Sequence, residues 1–223
     1  HLFGTDRLGR DMLARILEGG QTSLIIGFLA ASISSIVGLF IGINAGYFKG
    51  NIDKSITITI DLFLTFPTFF LLLALVSYIQ ASAVILIIVI SITGWMGMAR
   101  MIRSESFAIG NKPFIKILKV ANVSTFKIIF KYFTPLLAPI FLISFTFGVG
   151  GSILAESGLS FLGLGVNPPL MSWGSLLSDG KAVIDIAWWV SFFPGFMIFL
   201  ITWCLIQISD YLQSLANSKE IIA

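Results

Sequence analysis

The chain has 223 residues, of which 57% are hydrophobic and 11% are charged. A soluble domain carries about 25% charged residues, so this composition excludes a soluble globule and indicates an integral membrane protein in contact with lipid. The net charge of +3 is small and concentrated in one loop, which argues against nucleic-acid binding. With one cysteine, Cys204, and one histidine, His1, the chain offers neither an internal disulfide nor a histidine-ligated metal site.

Residues 1–20 are rich in charge but balanced in sign. Thr5 or Asp6 is predicted to cap a helix, and Asp11 and Arg15 have the spacing of a favourable ion pair on one helix face. We therefore predict that residues 1–20 form an external segment with an interfacial helix, followed by a membrane domain over residues 21–212.

Five apolar stretches are long enough to cross the bilayer, which takes about 20 helical residues. The uncharged run 62–99 is too long for one span and is divided into two, with an external hairpin near residues 78–82. The second span is predicted to bend at Pro67, residues 158–185 form a loop, and residues 213–223 form a cytoplasmic tail. The predicted fold is an all-α polytopic membrane bundle with spans at 24–46, before Asp61 to 77, 83–102, 133–158 and 186–209.

Basic residues are concentrated between Arg100 and Pro139, where the single acid is Glu105. An excess of lysine and arginine in a short loop marks the cytoplasmic side. Five spans then place residue 1 outside and the C-terminus inside.

The loop 103–134 has internal order. Phe114, Ile117, Leu118 and Ala121 recur at helical spacing and predict a helix with one apolar face. Asn111 or Lys112 is expected to cap it, with Pro113 in the first turn. Asn122 suits a left-handed C-terminal residue, and Ser124 is expected to cap a second helix. Two interpretations stay open at this point, namely interfacial helices on lipid headgroups or a docking element for a soluble partner.

Two acids, Asp61 and Glu156, lie in or near the predicted spans and are candidates for a transport pathway because charge is costly in lipid. Asp61 is alternatively a helix-start residue at the inner interface. Glu156 is alternatively an acid close enough to the outer interface to stay hydrated. The chain has no phosphate-binding loop of the form G-x-x-x-x-G-K-[ST] and no catalytic triad, so we expect no enzyme activity.

Several runs of sequence resemble the inner-membrane permeases of ABC importers for dipeptides, oligopeptides and nickel. They include His1-Leu-Phe-Gly-Thr-Asp-Arg-Leu-Gly-Arg-Asp11, Gly46-Tyr-Phe-Lys-Gly50, Ile153 to Gly165 (ILAESGLSFLGLG), Ser172-Trp-Gly174 and Phe193-Pro-Gly195. The resemblance covers essentially the whole chain and implies the type I importer permease fold, with a sixth span that we expect upstream of His1.

The resemblance also implies partners and a mechanism. A second, related permease would complete a pathway for peptides, nickel or metal chelates in the bacterial inner membrane. Two separate subunits would bind ATP and Mg, so that no cofactor is needed in this chain, and an external solute-binding protein would deliver substrate. A self-sufficient channel or ion-coupled carrier is the alternative, and it would have to rely on Asp61 and Glu156.

The resemblance further implies that the short helix of the loop docks on the ATPase subunit. The implied coupling residues are Phe114, Lys116, Ile117, Leu118, Ala121 and Asn122. This chain has Lys116-Ile117-Leu118 where Glu-Ala-Ala is usual, and Asn122 where glycine is usual. The resemblance favours the docking interpretation of the loop over the lipid-surface interpretation.

Overall fold

The computed structural model describes the backbone of residues 1–79 and 82–222 and the side chains of that part up to residue 216. Its elements are α1 (Met12–Phe48), α2 (Gly50–Thr65), α3 (Thr68–Ser77), α4 (Ala83–Asn111), α5 (Pro113–Val120), α6 (Thr125–Ile128), a π-helical segment (Ile129–Phe133), α7 (Thr134–Phe161), α8 (Trp173–Lys181) and α9 (Trp189–Ile222).

The predicted helical membrane bundle is confirmed. In the part of the chain that the structure describes, four helical stretches are long and apolar enough to cross a membrane: α1, α4, residues 125–161 and residues 189–216. Helices α2 and α3 bring the number to five if they count as one span, although they meet at an angle of 79°. The predicted bend at Pro67 is thus a break, because proline lacks an N–H and forces Phe66 into an extended conformation with ψ of 134°.

Helix α1 is the central element, and its glycines allow close packing. A Cβ atom on Gly42 would lie 2.7 Å from the carbonyl oxygen of Ala99 in α4, and one on Gly27 would lie 2.4 Å from Cγ1 of Ile153 in α7. The small residues of α1 therefore bring the backbones of α1, α4 and α7 together.

Two apolar clusters mark opposite ends of the bundle. At one end, which we call the α8 end, α8 packs on the first turns of α1 and α9 through residues that include Met12, Trp173, Leu176 and Val190. At the other, which we call the loop end, the last turns of α1 and α4 pack on residues 115–137.

The start of α1 corrects two predictions. Asp11, rather than Thr5 or Asp6, caps the helix, and its carboxylate accepts a hydrogen bond from the N–H of Leu13 at 2.9 Å. Arg15 consequently pairs with Asp6 at 2.7 Å and Asp179 at 3.1 Å instead of Asp11. Helix α1 runs unbroken from Met12 into the predicted first span, and Gly20 in its early turns packs against Trp173.

Three further boundaries differ from the prediction. The loop at 158–185 contains α8, whose first turn is closed by a reciprocal capping box between Ser172 and Ser175. Helix α4 extends to Asn111, and α9 extends through the predicted tail to Ile222. Residues 80 and 81 of the predicted hairpin, and Ala223, lie outside the described residues.

The second helix of the loop and the fourth span form one continuous helical stretch. Ser124 is the N-cap residue of α6, as predicted, although its side chain makes no capping hydrogen bond. The π-helical segment joins α6 to α7 just before Pro135, which cannot donate to the carbonyl of Lys131. In the same turn, the hydroxyl of Thr134 donates a hydrogen bond to the carbonyl of Ile129 at 3.1 Å.

Candidate functional site

Helix α5 lies at the loop end, and the sequence predicted both of its ends. Lys112 is its N-cap residue and Pro113 its first residue. Asn122 has a left-handed φ of 54°. The N–H of Val123 donates to the carbonyl of Leu118, and the N–H of Asn122 to that of Lys119, both at 3.1 Å. This pair of hydrogen bonds is a Schellman motif, which closes the helix and reverses the chain.

One face of α5 anchors it to the bundle. Ile115 is fully buried in the cluster at the loop end, together with Tyr47 from the last turn of α1 and Ile109 from that of α4. Leu118 is half-buried against the same cluster. The inward face is therefore centred on Ile115, which the predicted apolar face did not include.

The other face of α5 is apolar and exposed. Ile117 is 67% exposed, Val120 84% and Phe114 40%. Two neighbouring phenylalanines, Phe126 and Phe130, are also exposed, and their rings lie 4.2 Å apart. These five residues form what we call the loop patch. Several large apolar side chains exposed on one loop indicate a candidate binding site.

The structure divides the predicted coupling residues. Phe114 and Ile117 belong to the loop patch, Lys116, Ala121 and Asn122 are exposed beside it, and Leu118 turns partly inward. Val120, which the sequence pattern did not indicate, is the most exposed of the patch residues. Its spacing of six residues from Phe114 falls outside the i, i+3, i+4, i+7 pattern. The apolar residues Ile115 and Val120 outside that pattern would have suggested a second contact face.

Tyr47 connects the loop to α1. Its ring lies 4.2 Å beneath the ammonium of Lys119 and 5.4 Å from the ring of Phe133, and its hydroxyl lies 3.4 Å from that of Thr125. Tyr47 thus puts the loop in direct contact with α1.

A cavity of about 430 Å³ lies between α1, α3, α4 and α7. Its lining is small, hydroxylated or apolar and carries no charged side chain. The hydroxyl of Ser34 donates to the carbonyl of Ala30 at 2.8 Å, and that of Thr93 to Val89 at 3.1 Å, so these groups are satisfied within their own helices. The lining includes Ser34, Ser35, Thr68, Thr93, Gly94, Ser144, Gly148 and Ser152.

Asp61 and Glu156 do not belong to that lining. Asp61 lies toward the C-terminal end of α2, not at a helix start, and forms an exposed ion pair with Arg100 of α4. Arg103 of α4 similarly holds Asp53, donating from Nη2 at 2.8 Å. Asp61 therefore forms one of two ionic contacts between α2 and α4. Its place in a transport pathway stays a prediction.

Glu156 is completely buried, which contradicts the interpretation that it stays hydrated. Its carboxylate accepts hydrogen bonds from Ser160 at 2.6 Å and from Ser23 of α1 at 3.0 Å. Ser23 in turn accepts from the backbone N–H of Trp173, the first residue of α8, at 3.1 Å. Glu156 thus connects α7, α1 and α8, and this placement favours a structural role.

A cluster of ion pairs fixes the start of the chain at the α8 end. The carboxylate of Asp6 accepts hydrogen bonds from the side chain and backbone N–H of Arg10, from the backbone N–H of Leu8 and from the guanidinium of Arg15. Burial on its own raises the pKa of Asp6, but the hydrogen bonds from Arg10 and Leu8 outweigh it and hold the pKa below its usual range.

The family model for the inner-membrane component of binding-protein-dependent transport systems matches residues 23–220. The chain belongs to this family. It is therefore a multi-pass permease component of a bacterial inner membrane, as the resemblance implied.

Relatives of known name match along the whole chain. The oligopeptide transport system permease OppC of Haemophilus influenzae is 36% identical over 220 residues, which are 99% of this chain and 71% of that protein. The dipeptide permease DppC of Bacillus subtilis is 35% identical, over 98% of this chain and 69% of that protein. OppC of Escherichia coli K12 is 34% identical, over 99% and 73%.

Solved structures show the same fold. An inward-facing crystal form of the methionine ABC transporter MetNI matches with a TM-score of 0.70 at 13% identity, over 90% of this chain and 97% of that one. A second crystal form of MetNI gives 0.68 at 14% identity and the same coverage. The expected type I importer permease fold is thereby confirmed.

Proposed function

We propose that this chain is a permease subunit for the uptake of peptides, driven by ATP hydrolysis in separate subunits. The observation that carries the proposal is the match over nearly the whole chain with permeases named for oligopeptide and dipeptide transport. The uncharged, hydroxyl-bearing cavity supports it, because a lining without charged side chains does not discriminate between peptides by the charge of their side chains.

The assembly we propose has one copy of this chain, one related permease, two ATP-binding subunits and an external solute-binding protein. ATP and Mg would bind in the ATPase subunits. The loop end would face the cytoplasm, because its basic residues follow the positive-inside rule, and residue 1 would lie outside.

The loop patch is the proposed contact with the ATPase. Through the contacts of Tyr47, a movement of the loop would displace α1. Both halves of the loop are held against the bundle by buried residues, Ile115 in α5 and Ile128 in α6, so the loop and bundle move together. ATP-driven movement of the partner would then shift the packed helices between two arrangements.

Uptake by the assembled transporter in proteoliposomes tests the substrate. We expect ATP-dependent accumulation of a labelled tripeptide when the matching binding protein is present. Accumulation of Ni²⁺ but not peptide would reject the peptide assignment and leave the importer assignment in place.

The replacement Ile117→Glu tests the coupling role. Because Ile117 is exposed, the variant should fold and insert normally, yet a buried carboxylate at the contact should reduce uptake at least tenfold. Ile186→Glu is the matched control, since Ile186 is 83% exposed at the α8 end. Leu118→Glu is a poorer test because Leu118 also packs inward. Normal uptake by the Ile117→Glu variant would count against the contact.

A further inference from the structure

The loop patch is bordered by unpaired positive charge. Residues 112–135 contain lysines but no aspartate or glutamate. The lysines are all exposed: Lys112, Lys116, Lys119, Lys127 and Lys131. Lys119 differs from the other lysines in having an aromatic contact, because its ammonium lies over the ring of Tyr47.

The other four lysines have no carboxylate within ion-pair distance in the part of the chain that the structure describes. A lysine has a flexible side chain, and without a carboxylate partner its charge adds no ion pair to the stability of the fold. Their concentration at one surface therefore bears on what that surface meets.

Helical spacing places these lysines beside the apolar residues. Lys116 precedes Val120 by one turn, and Lys127 precedes Lys131 by one turn, with Phe130 next to it in sequence. The surface thus has an apolar centre and a basic edge, the arrangement of a protein interface with its polar rim.

The direction of the patch favours a protein over lipid as its occupant. Ile115, on the opposite face of α5, packs on the last turns of α1 and α4. The patch consequently points away from the end of the bundle, beyond the ends of these two membrane helices. A helix lying on lipid would instead turn its apolar face back toward the membrane.

We infer that the groove of the ATPase that receives this loop has an apolar floor and an acidic rim facing Lys112, Lys116, Lys127 and Lys131. The inference rests on the proposed function, since it describes the partner of the same contact. It means that charge selects which ATPase this permease accepts, because a groove with a basic rim would be repelled.

The test uses the purified permease complex, stripped of its ATPase and rebound to it at increasing NaCl concentrations. Rim charges act mainly on the association rate and on its salt dependence. Lys116→Glu should therefore lower the association rate several-fold and flatten its dependence on salt, whereas Lys116→Arg should leave both unchanged. Replacing one acidic rim residue of the ATPase by lysine should restore binding to the Lys116→Glu permease.

Lys54→Glu is the matched control, because Lys54 is exposed on α2 and lies outside the patch. Equal association of the Lys116→Glu variant and wild type at low salt would overturn the inference while leaving the proposed function intact. An equal loss in both glutamate variants would also overturn it, because attraction would then depend on net charge alone. A complex that contains and needs no ATPase would instead reject the proposed function.

Discussion

Glu156 shows how a single buried residue can determine the placement of three helices. Removing its carboxylate in Glu156→Ala would leave the hydroxyls of Ser23 and Ser160 without their acceptor in a fully buried site. An unsatisfied buried polar group costs about 1–3 kcal/mol. We expect a lower midpoint of thermal unfolding in detergent, with α8 loosened first.

The amide of Glu156→Gln can still accept one of these hydrogen bonds and should recover part of the loss. Glu105→Ala supplies the control, because Glu105 is exposed on α4. If both alanine variants unfolded at the same temperature, the hydrogen-bond network would not be a stabilising feature.

Asp6 gives the ion cluster at the α8 end a defined pH dependence. Its pKa is lower in the folded chain than the ordinary value of 3.8. A carboxylate with a depressed pKa stabilises the fold above its unfolded pKa, and this stabilisation disappears as the pH falls through the folded value. The stability difference between wild type and Asp6→Asn should therefore be constant above about pH 5 and decrease below 3.8.

Thermal unfolding of both proteins across this pH range measures the effect. A stability difference between wild type and Asp6→Asn that grew on acidification would contradict a lowered pKa for Asp6.

At the scale of the element, Asn122 sets the shape of the loop. The left-handed region costs a residue with a Cβ about 1–2 kcal/mol, but asparagine tolerates it because its short polar side chain can hydrogen-bond locally, and glycine has no Cβ to clash. Asn122→Ala should therefore open the turn after α5, while Asn122→Gly should preserve it. Hydrogen exchange at the amide of Val123, which donates to Leu118, should accelerate several-fold in the alanine variant only.

The contact between α1 and α4 depends on Gly42. An added Cβ would lie 2.7 Å from the backbone oxygen of Ala99, which cannot move without displacing α4. Gly42→Ala should destabilise the bundle by about 1–3 kcal/mol, as overpacking does. Gly97→Ala is a control with no heavy atom within 4 Å of the new methyl group, and thermal unfolding in detergent should distinguish the two.

The elements that were predicted correctly are those encoded by neighbouring residues. The spans follow from runs of apolar residues, and the Pro113 start and Asn122 end of α5 follow from their own backbone preferences. In contrast, one partner of Arg15 is Asp179 and one partner of Glu156 is Ser23, and only the fold brings these residues together. The inward face of α5 escaped prediction for the same reason, since what covers Ile115 comes from α1 and α4.

The central cavity illustrates a second limit. Ser34 and Ser35 of α1 are small residues, and small residues in a span predict close helix packing. Gly38 and Gly42 do pack closely on α4, but the two serines line the cavity. Small residues therefore have two roles in α1, close helix packing and cavity lining, and the position of a residue around the helix decides which role it has.

At the scale of the whole molecule, α1 links the two ends of the bundle. Its first turns contact α8 through Gly20 and Trp173, and its last turn contacts the loop through Tyr47. A helix of 37 residues is about 55 Å long, enough to exceed the bilayer core. The loop patch and α8 must therefore lie on opposite sides of the membrane if α1 spans it.

This separation predicts the result of labelling from one side. In a Cys204→Ser background, Val120→Cys places a thiol in the loop patch and Ile186→Cys places one at the α8 end, both at highly exposed positions. The positive-inside rule puts the lysines of the loop in the cytoplasm. A membrane-impermeant maleimide added to intact cells should react with Ile186→Cys, and with Val120→Cys only after the membrane is permeabilised. Reaction in the reverse order would place the loop outside, where no ATPase could reach it. If the orientation is as proposed, bound ATPase should also protect Val120→Cys in permeabilised cells, because this residue is the most exposed part of the loop patch.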